Sequence, residues 1–369
     1  MDQSRLICAG CGAPIQTEDP AEAGYTPPAA LERDVVICQR CFRLNHYNEI
    51  QEVPLNHTDF TDKLHELGKQ KALIVKIIDV FDIEGSWIPG LQRYIGGNDV
   101  LLLVNKMDLL PKSINENKLK DWVRREAKEQ GLQVEDVLLI SAEKKKSVAE
   151  AAAKMDELRK GKDVYITGCT NVGKSTFINA LIQEFSGDEE QLITTSRFPG
   201  TTLDLIDIPL DDGKRLYDTP GIINEKQIAH YVTRDDLKKI TPAKEMKPRV
   251  YQLEQKQTLF IAGLARFDFV EGERNSFVAY FDNHLRIHRT KLDKADQLYK
   301  EHKGGMLSPP ETDSLDAVPE FVSHHFQIKN EKTDVVISGL GWITVVNPGA
   351  KIIVHAPKGV GVAIREAII

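Results

Sequence analysis

A glycine-rich segment at residues 168–175 carries the residue types that bind phosphate groups. Its sequence, Gly-Cys-Thr-Asn-Val-Gly-Lys-Ser, follows an apolar run and opens a segment with helical periodicity. Glycines let backbone N–H groups point at phosphate oxygens, and a helix N-terminus favours negative charge. We predict a phosphate-binding loop in which Lys174 neutralises the terminal phosphates and Ser175 binds Mg²⁺. The predicted contacts of the loop with a nucleotide are Gly168, Asn171, Val172, Gly173, Lys174, Ser175 and Thr176.

A second motif, Asp218-Thr-Pro-Gly221, follows the apolar stretch at 215–218. Asp218 at a strand end is expected to hold Mg²⁺ through water, and Gly221 to present its N–H to the terminal phosphate. Between the two motifs lies Pro-Gly-Thr-Thr-Leu-Asp at 199–204, which is typical of a switch loop. We expect one threonine there to bind Mg²⁺ and sense the terminal phosphate, and choose Thr202 over Thr201.

A third motif, Asn105-Lys106-Met-Asp108, predicts that the base is guanine. The Asp108 carboxylate can accept hydrogen bonds from guanine N1 and the exocyclic amine, a pair of donors that adenine does not offer. Asn105 and Lys106 are expected to shape the pocket around the ring. Ser141-Ala142 follows the next apolar run and is expected to place a main-chain N–H against the base.

These motifs need a scaffold of strands, because each follows a short apolar run. Strands are predicted at 72–79, 99–105, 136–141, 163–167, 202–208 and 215–218, with helices at 115–130, 148–159 and 174–184. Such alternation predicts an α/β domain with a mostly parallel sheet. Beyond residue 240, short β-rich runs separated by turns predict a largely antiparallel domain, interrupted by one helix at 294–302. The runs lie at 258–262, 276–281, 285–289, 321–328, 335–337, 342–346 and 351–355. The predicted domains are residues 1–56, 57–227 and 228–369.

The order of the motifs is unusual. In Ras-like proteins the phosphate loop comes first, whereas here the guanine motifs precede it and the switch motifs follow it. A fold can survive such circular permutation when the new termini lie in exposed loops. The chain leaves the nucleotide domain directly after Gly221, so we expect the C-terminal domain to respond to the bound nucleotide.

The cysteines supply a separate chemistry. Two C-x-x-C pairs, Cys8 with Cys11 and Cys38 with Cys41, are typical of a structural four-thiolate zinc site. A redox role is the alternative, but two matched pairs favour zinc. Cys169, inside the phosphate loop, is either a reactive thiol or a small side chain that the loop tolerates, and we favour the latter.

Composition bounds the class of protein. The chain has 369 residues, 28% of them charged, and a formal net charge of −7, so any contact with nucleic acid must come from a local basic face. The longest apolar runs are too short to cross a bilayer, and the N-terminus does not have the pattern of a signal peptide. We expect a cytoplasmic protein that binds neither membrane nor DNA.

Two stretches of the C-terminal region are locally basic and could contact RNA or be ordinary surface charge. Tyr280 and Phe281 lie just upstream of the second stretch, and aromatic rings beside cations suit base stacking. The first stretch comprises Lys238, Lys239, Lys244, Lys247, Arg249 and Lys256, and the second comprises Arg286, His288, Arg289, Lys291 and Lys294.

Together, the two C-x-x-C pairs, the permuted motifs and Gly-Leu-Gly-Trp at 339–342 resemble the YqeH family of circularly permuted GTPases over nearly the whole chain. The resemblance implies a Ras-like P-loop G domain, a treble-clef-like zinc module and a C-terminal domain with the β architecture of an RNA-binding protein. It also implies a GTPase needed to assemble the small (30S) ribosomal subunit, acting on or near 16S rRNA.

Hydrolysis must differ from that in Ras-type enzymes, because no glutamine follows Gly221. The resemblance implies a K⁺ ion at Asn171, which could offset developing charge, so we expect slow basal hydrolysis that K⁺ stimulates. The predicted catalytic residues are Lys174, Asn171 and Thr202. The rivals are an RNA-binding scaffold with a nearly inactive G domain, and an ATPase or nucleotide kinase, against which Asp108 argues.

Overall fold

The structure is a computed structural model in which most of the chain from residue 68 onward is described. The described residues are 6, 8, 14–20, 22, 24–31, 36–39, 42, 54–55, 68–185, 194–197, 204–210, 212–219 and 221–369. They form two compact units: Met1–Val80, Ser86–Met107 and Lys120–Ile223 make the first, and Phe81–Gly85, Asp108–Leu119 and Asn224–Ile369 make the second. The division of the chain into three domains stays a prediction. No helix of the described residues is long and apolar enough to cross a membrane.

The first part of the chain alternates strands and helices. Its strands are β1 (Pro54–Leu55), β2 (Ala72–Asp79), β3 (Asp99–Asn105), β4 (Asp136–Leu139), β5 (Asp163–Gly168), β6 (Thr194–Arg197), β7 (Asp204–Pro209), β8 (Arg215–Asp218) and β9 (Gly221–Ile222). Its helices are α1 (Ile83–Ser86), α2 (Leu91–Ile95), α3 (Glu116–Glu129), α4 (Lys145–Arg159) and α5 (Lys174–Phe185).

Seven of these strands form one sheet in the order β4-β3-β2-β5-β8-β7-β6. In this order the ladders β4-β3, β3-β2, β2-β5 and β5-β8 are parallel, whereas β8-β7 and β7-β6 are antiparallel. Every residue of β2 is buried, as expected for a central strand of a parallel sheet that is covered on both faces. The prediction of a mostly parallel sheet is therefore confirmed, with strand ends close to those predicted. Because the five strands β4, β3, β2, β5 and β8 run in one direction, the loops after β3, β4, β5 and β8 meet at one edge of the sheet.

The second unit is rich in β structure. Its strands are β10 (Arg249–Leu253), β11 (Gln257–Ile261), β12 (Ala265–Glu271), β13 (Asn275–Tyr280), β14 (Ile287–Lys291), β15 (Phe321–Gln327), β16 (Thr333–Ile337), β17 (Gly341–Val345), β18 (Lys351–Pro357) and β19 (Val362–Glu366). Its helices beyond Asn224 are α6 (Arg234–Ile240) and α7 (Leu292–His302).

These ten strands form two antiparallel sheets, β10-β13-β17-β16-β19 and β14-β11-β12-β18-β15. The core lies between them, where Phe277 of the first sheet meets Phe267 and Phe269 of the second at ring-centroid distances of 5.4 and 5.1 Å. Helix α7 packs on the second sheet, with Tyr299 stacked on Phe260. The prediction of a β-rich C-terminal domain is confirmed, although β10, β12, β19 and α6 were not among the predicted elements.

Candidate functional site

The phosphate loop leaves the central strand β5 and enters helix α5. A Cβ added at Gly168 would lie 2.9 Å from Val172 Cγ2 and 3.1 Å from the Ile77 carbonyl oxygen, so no larger residue fits there. Gly173 has φ +85°, and a Cβ added there would lie 2.4 Å from Asn105 Nδ2. Both glycines are therefore required by the path of the backbone, which passes directly against the guanine motif.

The lysine of the loop faces the aspartate of the second motif. Lys174 Nζ lies 2.5 Å from Asp218 Oδ1, and both side chains are almost fully buried. Ser175 Oγ is also buried and has no hydrogen-bond partner within the described part of the chain. A buried hydroxyl without a partner costs about 1–3 kcal/mol, which a Mg²⁺ ion bound here would recover. The Ser175 hydroxyl thus fits the ion, Asp218 lies beside Lys174, and Thr202 lies outside the described residues.

Asn105, the first residue of the guanine motif, joins three motifs. Its Nδ2 donates to the Val172 carbonyl oxygen at 3.0 Å, and its Oδ1 accepts from Ala142 N at 2.9 Å. Since Asn105 is fully buried, both bonds are shielded from water. The side chain thereby fixes the phosphate loop and the loop after β4 to the end of β3.

Lys106 makes a second link between the base side and the phosphate side. Its Nζ donates to Asp79 Oδ2 and to the Asn171 carbonyl oxygen, each at 2.6 Å. Both Lys106 and Asn171 have φ near +65°, a conformation uncommon outside glycine, which turns the two loops toward each other. Asp79, at the end of β2, was not predicted. Its position after a buried strand next to β3 is the signal that could have found it.

Asp108 lies on a single 3₁₀ turn, Met107–Leu109. Its carboxylate has no hydrogen bond or ion pair within the described residues, which suits a group that accepts hydrogen bonds from a ligand. The loop after β4 is different. Ala142 N–H donates to Asn105, and Ser141 N–H donates to Ser147 Oγ at 3.0 Å. A contact from either amide to the base would need one of these bonds to be shared.

The remaining loop residues take ordinary positions. Val172 is buried, and Thr176 is exposed on the first turn of α5. Gly221 begins β9, where the Ile222 carbonyl oxygen accepts from Thr170 N at 2.8 Å, so the second motif runs along the phosphate loop. Cys169 is buried, and its thiol donates to the Ser86 carbonyl oxygen at 3.4 Å. This environment agrees with a packed side chain better than with a reactive thiol.

Lys76 is a buried lysine on the central strand β2. It lies one residue away from the position of β2 that pairs with the first residue of the phosphate loop. Lys76 is aligned with Thr167 of β5, and its Nζ has no hydrogen-bond partner within the described residues. Burial lowers the pKa of Lys76 from 10.5 to about 8, against a smaller opposing effect of Cys169. Burial of the charged ammonium therefore lowers the free energy of unfolding, whereas burial of the apolar residues of β2 raises it.

Two of the four predicted zinc ligands are described, Cys8 and Cys38. Both are buried, and the main-chain N–H of Cys38 donates to Cys8 Sγ at 3.1 Å. Cys11 and Cys41 lie outside the described residues. Among the described ones, no group of three or more His, Cys, Asp or Glu side chains is arranged to hold a metal ion.

The prediction that aromatic residues stack on RNA bases is wrong for Tyr280 and Phe281. Phe281 is fully buried, and Tyr280 stacks on Trp342 with ring centroids 5.1 Å apart. Both rings are used by the core at the end of β13. Arg249 is also occupied, since its guanidinium donates to the Leu285 carbonyl oxygen at 2.6 Å, and burial lowers its pKa.

Comparison with known proteins covers nearly the whole chain. A family model described as "YqeH-like, C-terminal" matches residues 274–368, and one described as "50S ribosome-binding GTPase" matches residues 163–259. The "Uncharacterized protein YqeH" of Bacillus subtilis (strain 168) is 56% identical over 99% of this chain and 100% of its own length. The "NO-associated protein 1, chloroplastic/mitochondrial" of Arabidopsis thaliana is 31% identical over 94% of this chain and 70% of its own.

One solved structure, the GDP-bound structure of TM YlqF, is 24% identical and covers 41% of this chain and 53% of its own. Its TM-score of 0.28 is too low to support an argument about the fold.

Proposed function

Because the chain belongs to the YqeH family of GTPases, we propose that it is a GTP-driven switch in the assembly of the small (30S) ribosomal subunit. The observation that carries the switch is the cluster of contacts at the sheet edge. Asn105 and Lys106 bind the phosphate loop, and Lys174 faces Asp218, so base and phosphate recognition share one set of side chains. The chain then leaves the G domain beyond Gly221, where a switch can act on the C-terminal unit.

Guanine selectivity is the first test. Wild-type protein should bind GTP and GDP far more tightly than ATP, and Asp108→Asn should shift the preference toward xanthine nucleotides. Asp108 has no competing partner within the described residues, so the substitution changes recognition of the base and little else. Equal binding of GTP and ATP by the wild type would contradict the prediction that the site selects guanine.

The segment after Gly221 does not supply the glutamine that Ras-type enzymes use for hydrolysis. Ile222, Ile223 and Asn224 follow Gly221, and the Asn224 amide already donates to the Gly85 carbonyl oxygen at 2.8 Å. We assign the catalytic residues as Lys174, Asn171 and Thr202, with a K⁺ ion at Asn171 supplying positive charge against the phosphates. The support is that Asn171 belongs to the phosphate loop and is exposed there, with a left-handed backbone at φ +65°.

Turnover separates this proposal from its rival, an RNA-binding scaffold with a nearly inactive G domain, which the missing glutamine favours. Single-turnover hydrolysis should be slow alone, faster in K⁺ than in Na⁺, and faster again with 30S subunits. Equal rates of hydrolysis in K⁺ and Na⁺ would contradict the proposal of a K⁺ ion at Asn171. Stimulation by 50S subunits but not by 30S subunits would move the partner to the large subunit, and stimulation by neither would favour the scaffold.

We also propose that Cys8, Cys11, Cys38 and Cys41 bind one structural Zn²⁺. The support is that Cys8 and Cys38, 30 residues apart, come into contact through an N–H···S bond. Main-chain donors to sulfur suit a thiolate ligand. One zinc per chain in the purified wild type, and loss of it in Cys38→Ser, is the expected result, whereas equal zinc content in both would contradict the assignment. We place the protein in the cytoplasm, with rRNA as its expected contact.

A further inference from the structure

Parts of the two basic stretches meet at one cavity of about 450 Å³, which Lys238, Lys239 and Lys244 of the first stretch and Arg286 of the second line. Lys239 and Lys244 come from the end of α6 and the loop after it, and His284 and Arg286 come from the turn between β13 and β14. The third side is the loop after α7, which contributes Pro309 and Glu311. About 40 residues of sequence separate the first two segments, so only the fold brings their charges together. We call this cavity the basic pocket.

The basic pocket is lined by four cations, Lys238, Lys239, Lys244 and Arg286, and by two carboxylates, Asp282 and Glu311, so its lining has a net positive charge. Lys239 is paired with Glu311 at 2.6 Å, and Lys238, also on the rim, is paired with Asp235 at 3.1 Å. Lys244 and Arg286 are exposed and have no ion pair within the described residues. These two cations are therefore available to an anion that enters the pocket.

The walls of the pocket are held in place by hydrogen bonds. The Asn283 side chain accepts from Lys247 N at 2.8 Å and donates to the Glu245 carbonyl oxygen at 2.9 Å, which ties the loop after α6 to the β13–β14 turn. The guanidinium of Arg249 holds the same turn through the Leu285 carbonyl oxygen. A pocket whose walls are fixed before binding loses little conformational entropy when a ligand enters.

The lining combines this charge with apolar surface. Leu285 is buried, and Pro309 and Ala243 also line the cavity. The His284 Nδ1 lies 3.3 Å from Asp282 Oδ1, but the side chain is 90% exposed, so its ring can still lie against a ligand. A volume of this size lies in the range of small-molecule sites. Cations beside an apolar surface and an exposed ring suit a phosphate joined to a flat base, which is one nucleotide.

We propose that the basic pocket binds one unpaired nucleotide of a single-stranded RNA, with Lys244 and Arg286 contacting its phosphate and the apolar lining contacting its base. This inference rests on the proposed function, since it gives the RNA contact of the assembly factor a location. It also replaces Tyr280 and Phe281, which are buried, as the place where a base is received.

The test uses full-length protein with saturating GDP and a fluorescein-labelled, single-stranded 12-nucleotide RNA of mixed sequence. Lys244→Gln and Arg286→Gln are compared with Lys358→Gln, which removes the same charge from an exposed lysine outside the pocket and both basic stretches. Anisotropy should show roughly tenfold weaker binding for each pocket variant. The slope of log affinity against log salt should fall by about 0.7 for each cation removed. Lys358→Gln should bind within about twofold of wild type.

The outcomes separate the pocket from the proposed function. If wild type binds the RNA but the pocket variants match it in affinity and salt slope, the pocket is refuted while RNA binding by the protein stands. If wild type does not bind the RNA but 30S subunits still stimulate its GTPase, the RNA assignment is overturned and the switch remains. Calorimetric binding of inorganic phosphate that Arg286→Gln abolishes, without RNA binding, would make the pocket a site for a free anion.

Discussion

Replacement of Asp79 by Asn tests whether one unpredicted carboxylate positions the guanine motif. Asp79 Oδ2 lies 2.6 Å from Lys106 Nζ, and the two side chains are only 8% and 24% exposed, so solvent screens the pair weakly. The amide of Asn keeps the size of the side chain but removes its charge. A charge-assisted hydrogen bond contributes about 1.5–3 kcal/mol, and the exposure of Lys106 places this one near the lower limit. We expect GDP and GTP to bind roughly tenfold more weakly.

The assay is a fluorescence titration with a labelled guanine nucleotide, followed by single-turnover hydrolysis at saturating GTP. Affinity should fall much more than the rate of hydrolysis, because Asp79 holds Lys106, a residue of the guanine motif. Thermal unfolding of the variant checks that the fold persists.

Asp99→Asn is the matched control. It removes the same charge from an ion pair with Lys162, at 3.0 Å, but at the opposite end of the same sheet, where the side chains are 28% and 33% exposed. It should leave nucleotide affinity unchanged. If Asp79→Asn binds GDP within twofold of wild type, or if Asp99→Asn weakens binding as much, then Asp79 does not position Lys106 for the nucleotide.

Three further substitutions probe buried polar groups. Lys76→Met removes the ammonium whose pKa burial lowers from 10.5 to about 8, and should raise the free energy of unfolding at neutral pH by up to about 3 kcal/mol. Because the folded pKa is the lower one, this gain should shrink as the pH rises from 8 to 10.5, which urea denaturation measures. Burial disfavours the Asp268 carboxylate, but hydrogen bonds, that of His355 foremost, outweigh burial and hold the pKa of Asp268 below its ordinary value. Asp268→Asn should therefore cost about 1–3 kcal/mol at neutral pH, and this deficit should begin to shrink below about pH 4 and be lost as the pH falls through the lowered pKa of the folded state. Asn105→Ala leaves the Val172 carbonyl without its donor and should weaken GDP binding by about 2 kcal/mol, measured by the same titration.

Each of these has a contrary result. A stability gain for Lys76→Met that does not change with pH would mean that improved packing, not lost charge, is the cause. A deficit for Asp268→Asn that persists in acid would assign its role to shape. Normal GDP affinity in Asn105→Ala would show that the phosphate loop holds its form without the link to the guanine motif.

The sequence predicts the strands that carry the nucleotide motifs well because the signals for those strands are local. Each motif follows a short apolar run, and a run buried on both faces, such as Ala72–Asp79, has the pattern of a central parallel strand. The phosphate loop needs its glycines, and those can be recognised by their spacing. Strand ends and motif order are therefore accessible from the chain alone.

What the sequence does not predict depends on distant contacts. Asp79 binds Lys106 across 27 residues, and although the end of a buried strand marks it as a candidate, the local sequence does not show which side chain it binds. Strand β12 was missed because Arg266 and Asp268 interrupt its apolar pattern. In the fold they are buried against each other, with Arg266 Nε donating to Asp268 Oδ1 at 2.8 Å. Tyr280 is the converse case. Its place beside cations in the sequence suggests base stacking, but its ring packs into the core.

The strand order of the large sheet has a consequence for how the protein is made. Strands β4-β3-β2 are one continuous stretch of chain, β5-β8-β7-β6 are another, and the ladder from Ala72↔Asp163 to Ile77↔Gly168 is the seam between them. Lys106 and Asn105 cross that seam to the phosphate loop. During translation, the strands that carry the guanine motifs leave the ribosome first. They have no partner at the seam until the strands that carry the phosphate loop follow. A nucleotide held by residues from both halves would therefore stabilise the joined sheet, by about 2.7 kcal/mol at a hundredfold excess over its dissociation constant.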